Sequence, residues 1–262
     1  MAHKTRINGT IYDVQGGKCR VNGTGYEIKK GRTLINGTGY DITFAPPMPV
    51  KGDLITMNLD GTDRLYRVLK IVNETVVEVL TMWNLSTRQE FHTSRNDYGG
   101  SYLDRYLNKT WYNTLSTAAK AAIVAKNNIN QYQYSFDSDY GSTIHASWAK
   151  YSSKTLKYSI GERYVYALDV EDIEMYFGGT GGSVNDKNPA TFSETDLLIM
   201  FWNQESYPAE MPWLRSAYNG NSKRAWAVRG TRGVIDYNNV DGEYEVRGAF
   251  QIDLSKIDFT TN

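Results

Sequence analysis

The residues between Tyr218 and Tyr244 combine aromatic rings with amide, hydroxyl and charged side chains. The stretch begins Tyr-Asn-Gly-Asn-Ser-Lys-Arg-Ala-Trp and continues with further Arg, Asp, Tyr and Asn residues. Aromatic rings stack on sugars and on apolar surfaces, whereas amides and guanidinium groups form hydrogen bonds, so the mixture is typical of surfaces that recognise sugars or proteins. The side chains that we expect to contact a ligand are Tyr218, Asn219, Asn221, Arg224, Arg229, Asp236, Tyr237, Asn238 and Asn239.

A polar set of loops around a buried tryptophan would explain the same stretch without any ligand. Trp226 stands in an apolar, strand-like context, and we expect it in the core. The 20 tyrosines of the chain are open to the same two interpretations, because tyrosine is both a good contact residue and a good strand former.

Catalytic and metal-binding patterns are missing from the sequence. It has no Gly-x-Ser-x-Gly, His-Glu-x-x-His or phosphate-loop motif. Cys19 is the only cysteine, and the three histidines are far apart, which excludes a cysteine-based zinc site. The neighbours Glu171 and Asp172 could be imagined as glycosidase acids, but charged helix faces explain them equally well. We therefore expect no enzyme, no cofactor and no metal.

The elements that must carry these residues begin with three copies of a 14-residue unit. The copies start at Ile7, Val21 and Ile35 and share the pattern Asn-Gly-Thr-x-Tyr. Asn-Gly is the strongest short hairpin signal, because both central positions of a type I′ turn need positive φ. Each copy is therefore predicted to be a strand, a turn, a strand and a second turn.

Such short strands cannot bury much of a core alone, so the repeats are expected to need a partner surface. That partner is the second domain, other copies of the chain or a larger assembly; an autonomous meander or flexible arm is the alternative. The apolar face of the repeats is the proposed anchoring surface, and its residues are Tyr12, Tyr26, Tyr40, Ile28 and Ile42.

A proline-rich connector separates these repeats from the rest of the chain. Three of the six prolines lie between Ala45 and Pro49. The predicted organisation is therefore a repeat arm over residues 1–44, a linker over 45–51 and a larger domain over 52–262.

The larger domain is predicted to belong to the α+β class, because strands are followed by helices and then by strands again. Hydrophobic periodicity and cap residues predict strands at 53–57, 66–72 and 75–82, helices at 101–107, 116–124 and 170–176, and strands at 213–215, 224–228, 233–237 and 245–254. Residues 193–200 fit either a helix or a strand.

Bulk composition limits the partners. Lys and Arg together number 29, as do Asp and Glu, so no overall positive field attracts nucleic acid. No apolar stretch reaches the roughly 20 residues that a membrane helix needs. The polar start of the chain predicts no signal peptide, and synthesis in a bacterial cytoplasm without ordinary secretion is expected.

Several motifs in the larger domain occur in the order of one known family. They are Gly52-Asp53, Tyr66 to Leu69, Tyr102 to Tyr112, Tyr166 to Asp169, Trp213 to Ser216 and Val246 to Leu254. Together they resemble a C-type-lectin-like domain of unassigned function, found in phage structural proteins and in surface proteins of Gram-positive bacteria. The family usually has a proline where this chain has Gly248. The repeats also look like the N-terminal segments of phage tail or virion proteins.

This resemblance implies a small mixed sheet, two helices and a ligand surface in the last third of the domain. Trp213 and Arg215, as parts of the family pattern, are then expected to be structural. The implied protein is a tail or capsid-associated virion protein whose lectin-like domain binds a host-surface glycan or protein. Other virion proteins would hold its repeats, and a homo-oligomer such as a trimer is expected. The alternatives are a decoration protein without host ligand and a bacterial surface protein.

Some lectin-like proteins bind calcium, and some are diversified by a retroelement. The Glu-Pro-Asn, Gln-Pro-Asp and Trp-Asn-Asp motifs of calcium-dependent lectins do not occur here, so no calcium site is expected. The many Tyr, Asn, Asp and Ser codons implied by residues 218–244 are compatible with diversification by a retroelement, which stays a hypothesis.

Overall fold

A computed structural model gives the architecture of the chain. It describes residues 3–7, 10–14, 18–21, 24–27, 30–35, 38–43, 47–86, 88–136, 143–145, 151–178, 194–201, 212–229 and 234–262. The chain divides into two compact units, Met1–Pro49 and Val50–Asn262.

The first unit contains three antiparallel hairpins, each forming a separate two-stranded sheet. Their strands are β1 (His3–Ile7), β2 (Thr10–Val14), β3 (Lys18–Val21), β4 (Thr24–Glu27), β5 (Lys30–Ile35) and β6 (Thr38–Thr43). The three hairpins have the same register. In each, the threonine that follows Asn-Gly pairs with the apolar residue that precedes Asn-Gly: Ile7 with Thr10, Val21 with Thr24 and Ile35 with Thr38. Of the proposed anchoring residues, Tyr12, Tyr26, Tyr40 and Ile42 lie on strands, and Ile28 lies outside the described residues.

The second unit is mainly β-sheet with a few helices, which agrees with the α+β class. Its first sheet is antiparallel and has the strand order β11-β19-β9-β8-β7-β20. The strands are β7 (Leu54–Asn58), β8 (Asp63–Ile71), β9 (Val76–Thr81), β11 (Ile123–Val124), β19 (Ala249–Asp253) and β20 (Phe259–Thr261). All six residues of β9 are buried, because this Val-rich strand lies at the centre of the sheet.

Helical segments follow the first sheet and begin at residues that can cap them. They are α1 (Tyr102–Arg105), a π-helical segment (Tyr106–Trp111), α2 (Tyr112–Thr114), α3 (Thr117–Ala122), α4 (Val170–Tyr176) and α5 (Glu194–Phe201). Ser101 and Ser116 accept hydrogen bonds from backbone N–H groups in the first turns of α1 and α3. Asp169 and Asp172 form a capping box at the start of α4.

A second six-stranded sheet carries the tyrosine- and asparagine-rich stretch. Its order is β13-β17-β16-β15-β12-β14, and it is mixed because β12 and β15 run parallel. The strands are β12 (Lys126–Phe136), β13 (Thr143–His145), β14 (Tyr151–Arg163), β15 (Trp213–Tyr218), β16 (Arg224–Arg229) and β17 (Val234–Asn239). A short pair, β10 (Gln89–Glu90) with β18 (Glu243–Tyr244), lies outside both sheets.

Buried charges connect β15 with α4. The Arg215 guanidinium donates to Asp172 Oδ2 at 2.5 Å, to the carbonyl of Ala167 at 2.8 Å and to that of Asn130 at 2.8 Å. Burial alone would lower the pKa of Arg215, but Asp172 and Asp169 outweigh it and raise that pKa. Because removing one partner would leave the other charge buried and unpaired, this network holds the second sheet against the helix.

The structure differs from the sequence prediction in three places. The antiparallel pair β12–β14, which no pattern predicted, supplies an edge strand of the second sheet. The helix predicted over 116–124 ends at Ala122, and the next two residues join the first sheet through β11. The strand predicted over 245–254 is limited to Ala249–Asp253, because the N–H groups of Val246 and Gly248 donate to the side-chain oxygens of Asn84 and Thr81 instead of a neighbouring strand. Within the described ranges, no helix is long and apolar enough to cross a membrane.

Candidate binding surface

The candidate surface lies at one end of β15, β16 and β17. In the β16–β17 ladder, Arg224 pairs with Asn239 and Trp226 pairs with Tyr237. Tyr218 is the last residue of β15, and the loop 219–223 leads from it to Arg224. The antiparallel connection therefore brings together residues from both ends of the tyrosine- and asparagine-rich stretch.

Three aromatic rings form the base of the surface. Trp226 is fully buried, as predicted, and its Nε1 donates to the carbonyl of Ala217 at 3.1 Å. The rings of Tyr218 and Tyr237 stack with their centroids 4.4 Å apart and their planes 24° apart. Both rings meet Trp226 edge-on, at 5.8 Å and 5.5 Å. The two half-buried tyrosines are thus held against a rigid core residue.

Arg224 lies over this aromatic base. The centre of its guanidinium group is 4.7 Å from the centroid of the Tyr237 ring, which is cation–π geometry. Burial raises the pKa of Tyr218, with Tyr237 as the next cause, so its phenol stays protonated at neutral pH. The surface therefore presents neutral rings beside a cation.

Asn96 holds the loop that connects β15 to β16. This side chain is 2 % exposed, and its Nδ2 donates to the carbonyls of Tyr218 at 3.1 Å, Asn221 at 3.2 Å and Arg224 at 2.7 Å. An amide has only two N–H groups, so one of them is shared between two carbonyls. Lys157 donates to the other end of the same amide, Oδ1. The loop is consequently pre-organised from beneath.

Hydroxyl and amide groups extend the surface towards the paired strands β12 and β14. The Asn219 Nδ2 donates to Ser135 Oγ at 3.1 Å and to Ser153 Oγ at 3.3 Å. The Tyr244 hydroxyl donates to Asn238 Oδ1 at 3.1 Å, but Asn238 lies on the opposite face of β17 from Tyr237, because neighbouring residues of a strand point to opposite faces. Exposed or half-exposed polar groups thus border the aromatic base on the side of β12 and β14.

The structure brings together six of the nine residues expected to contact a ligand. They are Tyr218, Asn219, Asn221, Arg224, Tyr237 and Asn239, and all are exposed or half-buried. Asn238 lies on the opposite face of β17 from Tyr237 and Asn239. Asp236 is buried and lies opposite Ala227 in the ladder. Arg229 pairs with Val234 at the far end of β16, about 16 Å from Arg224 along the strand, and its side chain is not described.

Sequence reasoning missed the residues that support the surface from other segments. Asn96, Ser135 and Ser153 bond to it, Lys157 bonds to Asn96, and all four precede it by more than 60 residues. No local pattern relates them to the stretch.

No metal centre is formed by the part of the chain that the structure describes: it contains no group of three or more His, Cys, Asp or Glu side chains that could hold an ion. The arrangement is suited to stacking and hydrogen bonding, with Arg224 as a fixed cation.

Comparison with known families adds one finding. A family model described as a domain of unknown function, DUF6273, matches residues 68–254, which is more than half of the chain. The chain belongs to the DUF6273 family. The matched DUF6273 region contains the second sheet and the whole candidate surface, and it leaves the three hairpins outside. Comparisons with curated proteins and with solved structures gave no match.

Proposed function

We propose that the second unit is a binding head with a C-type-lectin-like fold, and that the chain is a virion protein that attaches to a host-surface glycan or protein. The observation that carries this proposal is the stacked pair of Tyr218 and Tyr237, half-exposed, backed by buried Trp226 and flanked by exposed amides.

The fold of the second unit supports this proposal. A lectin-like domain implies a small mixed sheet, two helices and a ligand surface formed late in the domain. In this chain the mixed second sheet contains the late strands β15, β16 and β17, and the candidate surface lies at their ends.

The chemistry of the surface supports recognition of sugars or proteins. Rigid aromatic side chains give contact area at a low cost in conformational entropy, and neighbouring amides fix the orientation of a ligand. Asn96 and Trp226 hold the loop and the rings in place before binding, which reduces the ordering cost of association.

The three hairpins are proposed to attach the head to the particle. Each is a two-stranded sheet of its own, and such small sheets are marginally stable without a partner. Because the three hairpins share one register, each has a similar strand edge whose backbone groups can pair with another strand. Such edges suit docking on other virion proteins or on equivalent hairpins of a homo-oligomer.

Binding of the full chain to a glycan array and to a panel of Gram-positive cell envelopes tests the head. We expect binding that falls at least about 10-fold in Tyr237→Ala. The matched control is Tyr164→Ala, which disrupts another stacked pair, Tyr112 with Tyr164 at 5.0 Å, in a different part of the unit. Equal loss in both variants would show a general effect on folding instead of a binding surface.

The arm needs a separate experiment. Particles that carry the chain without residues 1–44 are expected to lose it during purification. Retention of the shortened chain would overturn the attachment role. Normal incorporation of the full chain together with no binding to any envelope would favour a decoration protein.

A further inference from the structure

The side chain of Arg224 is a cation at the centre of the candidate surface, and it has no ion-pair partner among the residues that the structure describes. Its backbone is fully engaged, since the N–H donates to Asn221 and the carbonyl accepts from Asn96. Its guanidinium lies over the ring of Tyr237 and, among the described residues, neither donates to an acceptor nor pairs with a carboxylate. Its five N–H groups, which lie in the guanidinium plane, are therefore available to a ligand.

This arrangement differs from that of two other arginines that lie over aromatic rings in the unit. Arg64 lies over Trp83 at 4.9 Å but also pairs with Asp60 at 3.4 Å. Arg215 lies over Tyr166, and its N–H groups donate to Asp172 and to backbone carbonyls. Arg105 lies over Tyr102 at 4.9 Å and, like Arg224, has no acceptor among the described residues, but it is on α1 and outside the candidate surface. Within that surface, Arg224 thus combines a stacked orientation with free N–H groups.

The neighbours of Arg224 add donors and a second positive charge. Lys223 is exposed and has no carboxylate partner within the described ranges, and exposed Asn239 is directly opposite Arg224 in the ladder. The nearby carboxylate of Asp97 is already paired with Lys157 at 2.8 Å. The exposed carboxylates of Asp241 and Glu243 follow on the next turn, after Asn239.

We propose that Arg224 binds an anionic group, a carboxylate or a phosphate, on the ligand whose sugar or apolar part contacts the Tyr218–Tyr237 pair. A planar guanidinium can bind either oxyanion with two parallel N–H···O bonds, which an ammonium group cannot reproduce. The ligand class is therefore an acidic glycopolymer of the host surface. This inference rests on the proposed function of the same surface.

Paired envelope preparations test the charge requirement. Cell-wall polysaccharides from a panel of Gram-positive bacteria are immobilised untreated, after chemical reduction of carboxyl groups, or after removal of phosphodiester-linked polymer with hydrofluoric acid. The full chain is expected to bind the untreated material and to lose roughly 10- to 100-fold in affinity after one of the two treatments. The treatment that matters identifies the carboxylate or the phosphate as the source.

Variants assign the effect to Arg224. Arg224→Gln and Arg224→Lys should each lower the affinity for untreated material, and the affinity of Arg224→Gln should no longer fall steeply between low and high salt. Arg64→Gln is the control, because it alters an arginine that also lies over an aromatic ring but belongs to the first sheet.

The outcomes separate this inference from the function on which it rests. Binding that survives both treatments, or an Arg224→Gln variant that binds like the parent chain, overturns the anionic ligand and leaves a binding head. Absence of binding to every preparation overturns both.

Discussion

The side-chain amide of Asn96 donates a 2.7 Å hydrogen bond to the backbone carbonyl of Arg224, across 128 residues of sequence. The same amide bonds the carbonyls of Tyr218 and Asn221, so one buried side chain fixes both ends and the middle of a loop. A loop with exposed side chains usually varies in conformation, but this one is tied to the core through its backbone. Its side chains are therefore free for a ligand while its shape is set by the fold.

Replacing Asn96 with alanine should destabilise the second unit by about 2–3 kcal/mol. The substitution removes the donors of three carbonyls and the acceptor of the Lys157 ammonium. Urea unfolding followed by tryptophan fluorescence measures the effect. Asn239→Ala is the control, because Asn239 is exposed, and it should change the free energy of unfolding by less than about 0.5 kcal/mol. Equal values for the two variants would contradict the role of Asn96.

Replacing Arg215 with leucine should lower the free energy of unfolding by about 3–5 kcal/mol, because Asp172 and the carbonyls of Ala167 and Asn130 would lose their buried donor. The same unfolding measurement applies. Arg64→Leu removes an arginine whose pair with Asp60 is partly solvated, and its cost should stay below about 1 kcal/mol. A mild effect at position 215 would mean that the helix α4 and the strand β15 hold together without the ion pair.

Gly248 should not tolerate the proline that the resembling family usually has at this place. Its N–H donates to Thr81 Oγ1 at 3.0 Å, and an added Cβ would lie 3.0 Å from side-chain atoms of Leu85 and Val165. Gly248→Pro loses this hydrogen bond and crowds Leu85 and Val165, so it should lower the free energy of unfolding by about 2–4 kcal/mol. Gly248→Ala keeps the N–H, so its free energy of unfolding should fall less. The difference between the two variants reports mainly on the loss of the hydrogen bond. An unfolding midpoint of the proline variant at or above that of the parent would disprove this account.

Local patterns predicted the parts of the fold whose causes are local. The Asn-Gly pairs marked the hairpin positions, Ser116 and Asp169 marked helix starts, and the apolar context of Trp226 indicated its burial. Patterns failed where the cause is a distant contact. The paired strands β12 and β14 are rich in Asn, Gln, Ser and Lys, and their pairing has several bulges, so their sequences show no clean alternation of apolar and polar residues.

The exposed residues of the candidate surface could be predicted from the sequence, but the residues that support them could not. The exposed residues are close in sequence and have a recognisable chemistry, and six of the nine lie together. The other three have the same chemistry, but Asp236 is buried, Arg229 is at the other end of β16, and Asn238 lies on the opposite face of β17. Asn96, Ser135 and Ser153 could not be found, because only the tertiary structure brings them to the loop.

The carboxyl group of Glu174 gives the second unit a pH-dependent stability. This residue on α4 is buried beside the hydroxyl of Tyr151, and burial raises its pKa from 4.5 to about 8, although Lys154 opposes the change. Between those two pH values the folded state keeps the proton and the unfolded state has lost it. The contribution of Glu174 is therefore complete below about pH 4.5 and is lost as the pH rises towards 8.

Glu174→Gln should remove this dependence, because the amide cannot ionise. Relative to the parent chain, the variant should gain stability as the pH rises from 5 to 8, by at most about 1.4 kcal/mol for each pH unit. Comparing the two chains at each pH cancels the other titrating groups, such as Asp172, whose pKa is lowered by Arg215 and Lys126 in spite of its burial. Glu162→Gln, at an exposed position on β14, should run parallel to the parent chain. A constant difference between Glu174→Gln and the parent from pH 5 to 8 would show that Glu174 is ionised in the folded protein throughout, and that Lys154 and Tyr151 stabilise its charge more than burial penalises it.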